Sequence, residues 1–147
     1  MLKLNLPSYE FRFKKEKDKL KIFDAVRKIY VALTPEEWVR QHFIRYLIEE
    51  KQVPASLIVI EAGLKINNTT KRFDAVVYDR QRKAKVLMEF KSPEVPITEK
   101  TYEQINTYNL FVKAPYVIIS NGINHLCYVL TDKGLYKKTS LDQVEKI

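Results

Sequence analysis

Residues 72–91 read RFDAVVYDRQRKAKVLMEFK, and the fold follows from how this stretch pairs with itself. Residues 72–78 and 84–91 are rich in β-branched and aromatic side chains, as strands are, and the polar RQRK between them has the length of a four-residue hairpin connection. If Asp79 faces Ala84, Val76 faces Leu87 and Asp74 faces Glu89. A one-residue slip would place the two carboxylates on opposite faces. Side chains at i and i+2 of a strand share a face, so Glu89 and Lys91 project together, with Asp74 beside them. Two acids and an ammonium group on one face are unfavourable as packing alone and call for a bound ion.

Mg²⁺ (or Mn²⁺) fits such a pair, because these hard cations are held by one or two carboxylates together with waters and substrate phosphate oxygens. A metal there lowers the pKa of a bound water and offsets charge on the phosphate. Lys91 is placed to orient that water or to stabilise the developing negative charge. Taken alone, Glu-x-Lys is weak, arising by chance about once in every two chains of this length. The competing structural reading is a surface Glu–Lys pair at a strand end with Asp74 as a turn acceptor. The context adds weight: Asp74 is an isolated acid among Phe73, Ala75, Val76 and Val77.

Upstream, TPEEW (34–38) has a helix-start pattern, with Thr34 as N-cap, Pro35 in the first turn and Glu37 completing a capping box. Val39, Phe43, Tyr46 and Leu47 give this helix an apolar face that ends near Lys51. LIVIEAGLKI (57–66) then reads as a strand with Glu61 inside it, and NNTTK (67–71) as a turn. Downstream of the proline-broken SPEVPIT, a second helix is expected over 99–112, capped by Thr98, with Tyr102 and Ile105 turned inward and Gln104 and Tyr108 one turn apart. Residues 116–120 and 125–130 form a last strand pair around Asn121-Gly122. At the front, alternation around KKEKDK (14–19) predicts a two-stranded ribbon whose lysines face either a phosphate backbone or only solvent. Residues 135–147 read as a polar tail or short final helix.

The chain has 147 residues, 26 Lys+Arg against 18 Asp+Glu and a formal charge of +8. This describes a single domain, 1–147, with a ribbon extension over 1–30, a core over 31–130 and a tail over 131–147. The basic excess suits a polyanionic partner, DNA above all, with solubility as the plainer explanation. Three glycines, Gly63, Gly122 and Gly134, match neither a nucleoside-triphosphate loop nor a dinucleotide turn, which excludes an ATPase or dehydrogenase. One cysteine, Cys127, leaves no disulfide framework or zinc finger, and no apolar run reaches the roughly 18 residues of a membrane helix, so a cytoplasmic setting is expected.

These residues together resemble the PD-(D/E)xK nucleases, and among them the N-terminal nuclease domain of type I restriction enzyme R subunits. KIFDAVRKIYVALTPEEWVRQHFIRYLIEE, KRFDAVVYDR, LMEFKSP, YEQINTYN and PYVIISNG follow the order of that domain from about residue 22 to 129. The resemblance implies a three-layer α/β restriction endonuclease-like fold, with a central mixed sheet flanked by helices and here an N-terminal β-ribbon. It assigns Asp74 and Glu89 to the metal, Lys91 to catalysis, and Gln104 with Tyr108 to the QxxxY element. Phe73 stands where the family name has proline, a position that contributes backbone shape. An acid on the first helix also belongs to the pattern: Glu37 is the expected metal ligand, with Glu36 as the alternative.

The implied activity is Mg²⁺-dependent DNA phosphodiester cleavage within a restriction system, with translocase, methyltransferase and specificity subunits as partners. The alternative is a non-catalytic DNA-binding or assembly module on the same fold. Type I cleavage depends on an ATP-driven translocase for which this sequence has no loop, so it reads as a stand-alone relative or a fragment. Lys71 and Arg72, and less clearly Arg80, Arg82 and Lys83, are candidates to bind flanking phosphates. His42 and His125 lack a nearby second histidine and are expected not to bind metal. Glu61 is expected to face solvent, with a place in the metal site as the alternative, and Cys127 to pack.

Overall fold

The computed structural model describes residues 2–144. At the N-terminus, β1 (Phe13–Glu16), β2 (Lys19–Asp24) and β3 (Ile29–Ala32) form an antiparallel three-stranded sheet. Lys17 and Asp18 both take positive φ in the first turn, the conformation that lets a two-residue loop follow the twist of its strands. The expected ribbon therefore gains a third strand, which runs past residue 30 to Ala32. It is also less detached than expected, since Ile22 and Asp24 are buried.

Thr34 opens α1 (Pro35–Glu49) by accepting the Glu37 N–H on its hydroxyl at 3.0 Å. Only this half of the expected capping box forms, because the Glu37 carboxylate turns to other partners. The second sheet runs in the order β4 (Ile58–Ile66), β5 (Thr69–Tyr78), β6 (Ala84–Phe90), β7 (Tyr116–Ser120), β8 (His125–Leu130) and β9 (Tyr136–Thr139). All neighbours are antiparallel except β6 and β7, which are parallel and joined through α2 (Glu99–Val112), as a parallel pair requires. Residues read as tail or helix thus supply an edge strand, β9, followed by a short turn over Leu141–Gln143.

Each face of this sheet is covered by one helix. Val39, Phe43 and Leu47 of α1 pack with Ala75, Val77, Met88, Phe90 and Ile118. Ile105 of α2 packs with Phe73, Val76, Leu87, Val117 and Ile119. The result is the helix–sheet–helix layering of the restriction endonuclease-like fold.

The β5–β6 hairpin has the expected register by an unexpected route. Asp79 N–H donates to the Lys83 carbonyl at 2.9 Å, and Arg82 sits at φ 67, so the loop has three residues rather than four. A bulge follows, with Tyr78 facing Ala84 but Val77 facing Val86. It absorbs the offset, and Val76 faces Leu87 as expected.

Candidate functional site

The site lies where the regular alternation of β4 and β5 fails. Ile60 and Ala75 face each other on the α1 side, whereas Ala62 and Phe73, the next pair but one, lie on the α2 side. The inversion falls on Glu61 and Asp74, and Glu61 takes φ 53 in mid-strand, a conformation rare for a residue with a side chain. On the other side of Asp74 the ladder to β6 stops at Ala75 and Met88. The next backbone donor, Phe90 N–H, goes instead to the Asp74 carboxylate at 2.7 Å. Asp74 is thereby held between two strands that separate around it.

Glu89 adjoins this opening. One of its carboxylate oxygens is buried with no hydrogen-bond partner among the described residues, a costly arrangement unless another group completes it. Burial, and then the negative charge of Asp74, push its pKa up to about 8. A groove of about 110 Å³ brings Glu89 and Lys91 together with Lys71, Thr101, Gln104 and Tyr108. The Lys71 ammonium lies 5.1 Å from the centre of the Tyr108 ring, within cation–π range. Of the expected residues, Glu89, Lys91, Gln104, Tyr108 and Lys71 therefore meet in one place, with Asp74 at its edge. Arg72 does not join them; it is exposed and pairs across to Gly63. Larger clefts of about 400 and 570 Å³ lie around Asp79 and Lys85 and hold no such grouping.

The two glutamates of α1 behave differently. Glu36 has its pKa raised by partial burial and then by Asp74, with Lys91 pulling the other way, so it belongs to the field of the site. Glu37, the expected ligand, is turned into a buried network. Arg40 donates to both of its carboxylate oxygens, at 2.9 and 2.5 Å, and Gln41 donates to it at 2.9 Å. Gln41 also reaches Asp24 at 3.1 Å, and Arg27 binds Asp24 at 2.8 Å. Glu61 lies at the edge of this network, 3.8 Å from Arg27 and 3.9 Å from Arg40. It is half exposed, as expected, yet charge-compensated.

Sequence reasoning missed Asp24, Arg27, Arg40 and Gln41. A local signal existed: Asp24 accepts the N–H groups of Val26 and Arg27 at 2.9 Å, a side-chain turn encoded by an Asp with Arg three residues later. The histidines have protein partners. His42 Nδ1 lies 2.9 Å from the Trp38 carbonyl, and His125 contacts the Ser120 hydroxyl and the Asn5 carbonyl. Cys127 packs in the core.

Among the described residues no three His, Cys, Asp or Glu side chains converge as a ready-made metal cage. The pair Asp74 and Glu89 nevertheless fits Mg²⁺, which keeps several waters and needs only one or two carboxylates. The unpartnered Glu89 oxygen is the observation that supports the fit.

The six-stranded mixed sheet between its two helices is that of a restriction endonuclease-like fold. The chain belongs to the family described as type I restriction enzyme R protein N terminus, whose sequence model matches residues 35–144. No curated protein matches. A solved structure described as a cryoEM structure of a DrdV-DNA complex is 14% identical, with a TM-score of 0.47 over 71% of this chain. The match spans 10% of that protein's chain. Among the described residues no helix is long and apolar enough to cross a membrane.

Proposed function

We propose that this domain is a metal-dependent DNA nuclease whose ion is held by Asp74 and Glu89. The reading is carried by the buried, unpartnered oxygen of Glu89 next to a second carboxylate. Membership of the type I restriction enzyme R protein N-terminus family and the charge of +8 support DNA as the substrate. A bound Mg²⁺ or Mn²⁺ supplies a water of lowered pKa and a counter-charge for the scissile phosphate. Phe90 N–H holds Asp74 in place, so the acid is oriented before any ligand arrives. Lys91, in the same groove as Glu89, orients the attacking water and stabilises charge on the phosphate oxygens. Gln104 and Tyr108 line the wall opposite and position the strand, and Lys71 binds a flanking phosphate. Glu36, rather than Glu37, is the helix acid facing the pair. Delivery of DNA to the site falls to restriction-system partners, a translocase foremost.

The test is titration calorimetry of the chain with Mn²⁺ and Mg²⁺ beside nicking of supercoiled plasmid. Saturable binding lost in Asp74→Ala, with nicking lost in Lys91→Ala whose metal binding persists, is the expected result. Salt-sensitive DNA binding with neither ion dependence nor nicking, alone or with the partner subunits, would assign the chain to the non-catalytic module instead.

A further inference from the structure

The N-terminal sheet lies outside the residues matched by the family model, which begin at Pro35. Its two faces differ. On the inner face Ile22 and Asp24 are buried and Phe13 stacks on Trp38. On the outer face the pairing sets out two rows. Arg12 lies beside Phe23, which faces Tyr30, and Lys14 faces Lys21, with Glu16 and Lys19 beyond.

The Arg12 guanidinium sits 4.0 Å from the centre of the Phe23 ring, the Lys14 ammonium 5.3 Å from that of Tyr30, and the two rings are 5.1 Å apart. Arg12 makes no salt bridge or side-chain hydrogen bond among the described residues. Like charges placed directly opposite destabilise a sheet, so the Lys14–Lys21 pair is hard to explain by folding. Glu16, 3.2 and 3.7 Å from these ammonium groups, offsets them only in part.

Cations interleaved with half-buried rings on a sheet match the chemistry of single-stranded nucleic acid, whose unpaired bases stack on aromatic faces while phosphates meet the cations. Duplex bases are already stacked and leave the rings without a role. We infer that the outer face of β1–β3 is a binding platform for single-stranded DNA, with Phe23 and Tyr30 as base-stacking rings and Arg12, Lys14, Lys19 and Lys21 as phosphate contacts. The choice of DNA rests on the proposed function; the platform itself requires neither metal nor catalysis.

The experiment is fluorescence anisotropy of the full chain in EDTA with a labelled fifteen-nucleotide oligothymidylate and a duplex of equal length. The wild type should bind the single strand in EDTA, with no metal bound, so failure of the metal site leaves this result untouched. Phe23→Leu/Tyr30→Leu should weaken single-strand binding about tenfold and duplex binding little. Arg12→Ser/Lys21→Ser should weaken binding and flatten its salt dependence. Absent single-strand binding, or affinity unchanged by loss of both rings, overturns the platform. If the leucine pair fails to fold, cross-linking of the wild type to iodouridine-substituted oligonucleotide decides: adducts on Phe23 or Tyr30 support it, and adducts only elsewhere refute it.

Discussion

Asp74 accepts the backbone N–H of Phe90 across the gap between β5 and β6 at 2.7 Å, which places the residue after Glu89 under the control of the acid before it in the chain. The same contact holds the strands apart and fixes the carboxylate. Replacing Asp74 by Asn keeps an oxygen for Phe90 N–H and removes the charge, whereas Ala leaves that buried donor unmet. Asp74→Asn is therefore expected to melt within about 2 °C of wild type while losing Mn²⁺ binding, and Asp74→Ala to lose about 1–2 kcal/mol of stability as well. Thermal melts beside calorimetry separate the two effects.

The raised pKa of Glu89 has a definite consequence for the metal-free chain. An ordinary glutamate, near 4.5, is ionised in the unfolded state at neutral pH, while the folded state holds the proton up to about 8. The folded state thus binds more protons between these values, and stability falls as pH rises through that window. Glu89→Gln removes this penalty, so its melting temperature should exceed that of wild type at pH 8 by about 3 °C or more and approach it below pH 4.5. Saturating Mn²⁺ should raise the wild-type value and leave the variant unmoved.

The two adjacent glutamates of α1 should separate by assay. Glu36 stands in the field of Asp74 and Lys91, so Glu36→Gln is expected to lower nicking about tenfold with little change in melting. Glu37→Gln breaks a buried pair with Arg40 and should cost about 2–3 kcal/mol. A Glu37→Gln chain that melts normally and has lost Mn²⁺ binding would restore Glu37 as the ligand.

What was readable in the chain follows the range of the forces involved. The α1 start, the extent of α2 and the strands flanking Asn121-Gly122 are set by neighbours in sequence, and all three were legible. The Val76–Leu87 register agrees with the one expected from the loop length, although the shorter loop and the bulge that offsets it were not legible. The edge strand β9 was not legible, because YKKT carries no apolar alternation. It is fixed from afar by the Tyr136 hydroxyl, which donates to the Ala114 carbonyl at 2.5 Å, and by Asn109. The diversion of Glu37 was hidden for a different reason. Its donors, Arg40 and Gln41, lie one turn on in α1, but the Asp24 and Arg27 that complete the buried network arrive from the turn after β2.

That turn makes the last prediction. Asp24 is almost fully buried, a placement that on its own would raise its pKa. The backbone and side-chain donors of Arg27 and the amide of Gln41 outweigh that effect and lower it. A carboxylate depressed in the folded state contributes stability above its ordinary value of 3.8 and loses it as pH falls through the folded value. Arg27→Ala leaves Asp24 buried with Gln41 as its remaining side-chain donor and is expected to cost about 3 kcal/mol at pH 7. The loss should shrink in Arg27→Ala/Asp24→Asn, where no buried charge is stranded. Denaturant melts of the two variants check this. Equal losses would mean that Arg27 acts through packing, and the ionic account of how the N-terminal sheet is fastened to α1 would fall.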